Sequence, residues 1–237
     1  MKKVLAVLFL YFTSFTLFAQ NVGLSFSYFI PQNGSFSTPI SPFSIRGLGF
    51  NFTNHFAFQT GASLYRMAGL SVKDTPLNNT ESFIGPNFTV YVPAELVLRF
   101  KGERVSLDIK GGGFFFYGFD QSLNAGNIDK AIRSLENWTV ANSNFSFQNK
   151  PGFGIQGGIE LTVNVTNQFG ISIESNYLKG QSGLPLSGTY TGGNSSLETK
   201  TIDYKDAKVD FTGLEFSIGL IFNTGGGGAA PQKRKRR

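Results

Sequence analysis

Apolar and polar residues alternate with a period of two along eight segments of this chain: 21–30, 43–52, 56–67, 87–100, 105–117, 152–165, 169–178 and 209–224. In the last of these, Leu214, Phe216, Ile218, Leu220 and Phe222 share one face, and Gly213, Glu215, Ser217 and Gly219 share the other. Successive side chains of a strand point to opposite sides of a sheet, so each segment predicts a two-faced β-strand. Runs of about ten residues with this period are what membrane-spanning strands show.

The connections carry separate information. "TNH", "KGER" and "TNQ" follow the second, fourth and sixth segments as tight turns. The other connections are roughly a dozen to 35 residues long and rich in Gly, Asn, Ser and Thr. Short turns on one side and long loops on the other predict an all-β fold: an eight-stranded antiparallel up-and-down transmembrane β-barrel with short periplasmic turns and long extracellular loops. Within residues 127–137, Ile128, Ile132 and Leu135 are spaced for one helix face, which predicts a short helix in the third long loop.

A soluble lipocalin-like barrel would show the same alternation with the faces reversed. Its outer face would then need many Lys and Glu for solubility. The polar faces here are mostly Gly, Ser, Thr, Asn and Gln, which suits a narrow lumen. Charged residues are 15% of the chain, against roughly 25% in an ordinary soluble domain. Aromatic residues on the apolar parity gather at strand ends. Phe52, Phe56, Phe100, Phe169 and Phe222 lie by the short turns, and Tyr28, Phe88, Tyr117, Phe153 and Tyr177 towards the loops. Two aromatic girdles on a lipid-facing surface are expected at the two edges of a bilayer.

The ends of the chain differ from its body. "MKKVLAVLFLYFTSFTLFAQ" has the basic start, apolar stretch and small residue of a secretory signal peptide, with cleavage expected after Ala19. Residues 20–224 then form the barrel domain, and 225–237 a flexible Gly-rich basic tail in the periplasm. Seven of the 21 Lys and Arg sit at the ends, at Lys2, Lys3, Lys233, Arg234, Lys235, Arg236 and Arg237. The remaining 14 face 15 Asp and Glu, so the body has no basic footprint for nucleic acid. The tail suits tethering to an anionic surface, either peptidoglycan or a periplasmic protein.

Candidate chemistry lies inside the cylinder. Glu95, Arg99, Asp108, Lys110, Glu160, Glu174 and Glu215 all fall on the inward parity. Charges in so narrow a space must pair, because isolated buried charges are expensive. Arg99 and Lys110 face five carboxylates in this reading. Arg46, Arg66 and Lys179 fall on the lipid parity near the loops, where cations snorkel towards lipopolysaccharide phosphates or carboxylates.

Other motifs are set aside. "GFGIQG" at 152–157 has the G-x-G-x-x-G count but lies within an alternating strand, not between a strand and a helix. His55 stands in a turn with no Ser beside it, which argues against a nucleophilic triad. Asp203, Asp206 and Asp210 lack the calcium-loop pattern. With no Cys and one His, neither a disulfide framework nor a His- or Cys-built metal site is expected. No cofactor and no enzyme activity are expected.

The stretch "YVPAELVLRF", followed by "KGER" and "VSLDIKGGGFFFYGF", resembles one found in the outer-membrane β-barrels of Bacteroidota, the PorT-like group of OmpA-type eight-stranded barrels. Tyr91, Pro93, Leu98, Arg99 and Gly112 are the positions that carry the likeness. The resemblance implies an eight-stranded barrel at the cell outer membrane of a Gram-negative envelope. For some members it implies a part in a protein-secretion apparatus. The expectation is a structural or surface-interaction barrel with a side-chain-filled polar lumen. The alternatives are a narrow channel or an accessory subunit of a secretion machine.

Overall fold

The computed structural model describes residues 21–32, 39–77 and 81–223. The expected signal peptide and the basic tail lie outside the described residues. The elements run β1 (Asn21–Pro31), β2 (Ile40–Asn51), β3 (Phe56–Met67), β4 (Asn87–Lys101), β5 (Val105–Phe119), α1 (Ala125–Glu136), β6 (Val140–Phe147), β7 (Gly152–Asn164), β8 (Phe169–Gly183), β9 (Leu186–Gly193), β10 (Leu197–Tyr204), β11 (Lys208–Asp210) and β12 (Gly213–Asn223). Neighbouring strands β1, β2, β3, β4, β5, β7, β8 and β12 pair antiparallel in a closed ring, with β12 returning to β1 from Asn21↔Asn223 to Pro31↔Gly213. This closed eight-stranded barrel is the fold that the alternation predicts.

The faces are those of a membrane barrel. Phe216, Ile218 and Leu220 of β12 look outward and are exposed, while Glu215 and Ser217 between them are buried. The same order holds in β7, where Phe153, Ile155, Ile159 and Leu161 are outside and Gln156, Glu160 and Thr162 inside. No sheet edge is left open in the ring, so the backbone groups can be satisfied without water. The girdle residues Tyr28, Phe52, Phe56, Phe100, Tyr117, Phe153, Tyr177 and Phe222 are all exposed. Phe88 and Phe169 are half-exposed, and Phe88 stacks on Phe119 with ring centres 5.8 Å apart.

Strand β2 departs from plain alternation. It starts at Ile40, so the first connection is shorter than the sequence pattern suggests. The pairing of β2 with β3 shifts register between Ile40 and Ser44 and again between Ile45 and Leu48. Gly47 has φ +75°, a left-handed conformation that costs Gly least. Gly61 on β3 lies so close that an added Cβ would sit 2.2 Å from the Ile45 carbonyl oxygen. A bulge of this kind places two residues against one and flips the parity beyond it. Arg46, expected on the lipid face, therefore points into the barrel and is buried.

The long loops build a cap. Strands β10, β9 and β6 form a separate three-stranded sheet. Helix α1 packs on it through Ile128, Ala131 and Ile132, against a cluster that includes Tyr190 and Ile202. The helix begins where Asn124 accepts a hydrogen bond from the Asn127 amide, and it ends at Asn137 in a left-handed conformation. The cap strands escaped the sequence reading because they are only eight residues long and their apolar inner face is broken by Ser143, Gly188, Gly192, Glu198 and Lys200, which blurs the alternation.

Candidate functional site

The lumen is filled in two tiers. The lower tier is polar, and strand register sets its layout. Arg99, Asp108, Glu160 and Glu174 are successive partners across β4, β5, β7 and β8. One row above lie Lys110, Gly158, Asn176 and Glu215, and above that Glu95 and Gln156. Every lumenal charge read from the sequence is brought together here, and all are buried.

Pairing within the tier is dense. Arg99 Nη2 lies 2.6 Å from Asp108 Oδ2, and its Nε donates to the same carboxylate at 2.9 Å. Lys110 Nζ bridges Glu160 at 2.5 Å and Glu174 at 2.9 Å. Arg46 Nη2 reaches Glu215 at 2.7 Å, and its guanidinium stands 5.8 Å from the centre of the Tyr91 ring. The Tyr65 hydroxyl also donates to Glu215, and Asn176 Nδ2 joins Glu174 at 3.0 Å to Glu215 at 2.9 Å. Gln156 donates to Glu95 at 2.5 Å and accepts from the Tyr91 hydroxyl. Serine hydroxyls finish the wall on the β1 side: Ser27 lies 2.7 Å from Ser217 and 3.1 Å from Ser44.

Arg46 is the cation that the sequence reading missed in the lumen. The signal for it was the expected charge imbalance itself, which called for another cation inside. With Arg46 the tier holds three cations (Arg46, Arg99, Lys110) against five carboxylates (Glu95, Asp108, Glu160, Glu174, Glu215).

The upper tier is aromatic. Phe29, Tyr65, Tyr91, Phe114 and Phe116 point inward from the barrel wall and are buried. Phe211, from the link between β11 and β12, stacks on Phe29 at 4.5 Å and on Phe116 at 4.8 Å. The sequence reading missed this tier; the signal for it was aromatic side chains on the polar parity, which have no place in a simple water-lined pore.

The other candidates sit apart. Arg66 and Lys179 are exposed on the outer wall, as expected. Lys179 is not at a strand end, because β8 runs on to Gly183. His55 Nδ1 lies 3.1 Å from the Arg99 carbonyl oxygen, in the turn before β3. Among the described residues no group of three or more His, Cys, Asp or Glu is arranged to hold a metal ion. In the cap, Lys200 donates to Glu136 at 2.5 Å and Tyr190 donates to it at 2.6 Å. These bonds, Lys200 foremost, hold the Glu136 carboxyl below its ordinary range.

No protein-family model matches the chain, and no curated protein is similar to it in sequence. Its fold is similar to that of the outer membrane protein OprG from Pseudomonas aeruginosa. That match has a TM-score of 0.54 at 10% identity and covers 85% of this chain and 94% of that one. Looser likenesses are to Ail, the attachment invasion locus protein of Yersinia pestis, and to Neisserial surface protein A. Ail gives a TM-score of 0.38 at 15% identity over 85% of this chain and 94% of its own. The Neisserial protein gives 0.40 at 14% over 86% and 94%. The closed ring, its apolar outer belt and its polar interior define an outer-membrane β-barrel.

Proposed function

We infer that this barrel is a non-enzymatic outer-membrane scaffold that presents its folded cap to partners outside the cell. The carrying observation is the two-tier lumen: paired charges below and stacked rings above fill the cylinder with the chain's own side chains. The ordered cap supports the reading. Its sheet turns outward rows of exposed or half-exposed amides and hydroxyls, Asn142, Thr191 and Thr199 beside Asn144, Thr189 and Thr201. Arg66 and Lys179 on the outer wall suit contact with lipopolysaccharide phosphates. Recording from the wild-type protein in planar bilayers tests the account. A flat baseline is expected, and steady conductance that changes in Glu160→Gln would overturn it.

Membership of the PorT-like group, and with it an accessory role in secretion, is the second reading. It is favoured by the Tyr91–Gly112 stretch, which forms the longest paired wall of the barrel, β4 on β5. Crosslinking from the basic tail to periplasmic proteins in native membranes separates it from the first.

A further inference from the structure

We propose that Phe211 is a stopper and residues 207–212 its handle, so that release of this strap turns the resting barrel into a narrow, cation-preferring pathway. The inference rests on the sealed resting lumen described above.

The strap is built differently from the wall around it. Strand β11 covers Gln181, Ser182 and Gly183 of β8, and β12 covers Phe169 to Leu178. Between them Phe211 keeps one amide bond to β8, Thr212 bonds Gln32 instead, and the Phe211 ring enters the lumen. There it lies nearly parallel to Phe29, at 3°, and close to parallel with Phe116, at 26°. Tyr65 meets it edge-on at 6.1 Å, with Phe114 at 6.3 Å and Tyr91 at 6.4 Å completing the collar. The barrel wall thus forms a ring of aromatics, and the strap supplies the side chain at its centre.

Ala207, Val209, Asp210 and Phe211 of the strap are buried, its ladder to β8 is three residues long, and the Leu184 amide donates to the Ala207 carbonyl at 2.7 Å, while its outer fastenings reach the wet side. The Phe211 amide donates to the Gly180 carbonyl at 2.8 Å, and the Gln32 amide donates to the Thr212 carbonyl at 2.8 Å. Lys73 and Lys208 exchange backbone hydrogen bonds at 2.8 and 3.1 Å. Two ion pairs finish the clasp, Lys73 to Asp210 at 2.9 Å and Lys208 to Asp74 at 2.5 Å. The Lys73, Lys208 and Asp74 side chains are about a third to a half exposed and Asp210 is buried, so water and salt weaken the Lys208–Asp74 pair most. By contrast β12 is paired along its whole length on both sides. Short, partly solvated elements open locally at lower free energy than fully laddered ones. Beneath the stopper the ion pairs of the lower tier line the route and must part as water and ions enter; their five carboxylates against three cations leave a formal excess of two negative charges, which selects cations over anions.

Planar-bilayer recording on the full mature chain tests this, using KCl gradients as the probe. Phe211→Ala should replace the closed baseline with persistent current whose reversal potential shifts towards that of potassium. Lys73→Met with Lys208→Met leaves the aromatic collar intact and should give intermittent openings of the same selectivity. Val209 and Ser182 are register partners and the chain has no Cys, so Val209→Cys with Ser182→Cys adds a single possible bridge. Oxidation in the clasp-variant background should silence the openings, and reduction should restore them. The stopper is overturned if folded Phe211→Ala stays silent, if its current does not prefer cations, or if the bridge leaves the openings unchanged. Should Phe211→Ala not fold, the clasp variant decides alone, and its silence overturns the proposal. Steady conduction by the wild type would instead overturn the resting seal.

Discussion

Glu160 and Glu174 stand directly opposite each other on β7 and β8, two carboxylates on one rung of the ladder. Like charges so placed repel. Lys110 Nζ, reaching from β5, lies within 2.9 Å of both and holds the rung together. Lys110→Met should therefore cost about 3–5 kcal/mol, the usual range for breaking a buried pair by removing one partner. Adding Glu160→Gln and Glu174→Gln to it should recover a large part of that loss. Urea unfolding in micelles, followed by the gel shift between folded and unfolded barrel, measures both.

Arg46 and Arg66 make opposite predictions although both were expected at the lipid rim. Arg46→Met leaves Glu215 buried without its ion-pair partner and should destabilise the barrel by about 3–5 kcal/mol. It should not change the amount of co-purifying lipopolysaccharide. Arg66→Ala with Lys179→Ala should leave stability within about 0.5 kcal/mol, as exposed substitutions do, and lower that amount. Lipid phosphate assays on the purified variants separate the two effects.

That contrast shows where the sequence was readable. Alternation located all eight wall strands because one face of each meets hydrocarbon, and that demand repeats every second residue. It failed at Arg46 because parity was carried back from Leu48, Phe50 and Phe52 through a bulge at Gly47. It also missed the upper tier. Tyr65 falls on the polar parity of its strand, with Gln59, Gly61 and Ser63, yet it joins Tyr91 and Phe211 in an aromatic seal. Period two tells inside from outside but not whether the inside is wet. The cap sheet was illegible for a related reason: its strands are short, and Ser143, Gly188, Gly192, Glu198 and Lys200 interrupt the inner face that Phe145, Tyr190 and Ile202 mark as apolar.

The cap should respond to acid on its own. Lys200 and Tyr190 bond the Glu136 carboxylate and hold its pKa below the ordinary value. A group depressed in the folded state contributes stability above its unfolded value, about 4.3, and loses it as pH falls through the folded value. Trp138, the single Trp of the chain, packs on Tyr190 at 5.7 Å and lies under Lys200 at 5.1 Å. Its fluorescence should change below about pH 4 while the barrel stays folded by gel shift. Glu136→Gln should remove most of that acid transition.

The lipid face should punish a cation more than the lumen wall punishes a small polar change. Ile218→Arg puts a cation in the apolar belt and should cost about 2–4 kcal/mol if near the bilayer midplane. Ser217→Thr, one residue away and facing inward, should cost less than about 1.5 kcal/mol. Equilibrium unfolding in lipid vesicles gives the comparison.

The orientation of the wall is tested most directly by single-Cys labelling at these neighbours, since the chain has no Cys of its own. Ile218 is 55% exposed and Ser217 6%. A fluorophore attached at Ile218→Cys in vesicles should be quenched by brominated lipid tails, while Ser217→Cys should resist labelling in the folded barrel. Quenching at position 217 with a tail-shielded label at 218 would contradict the account.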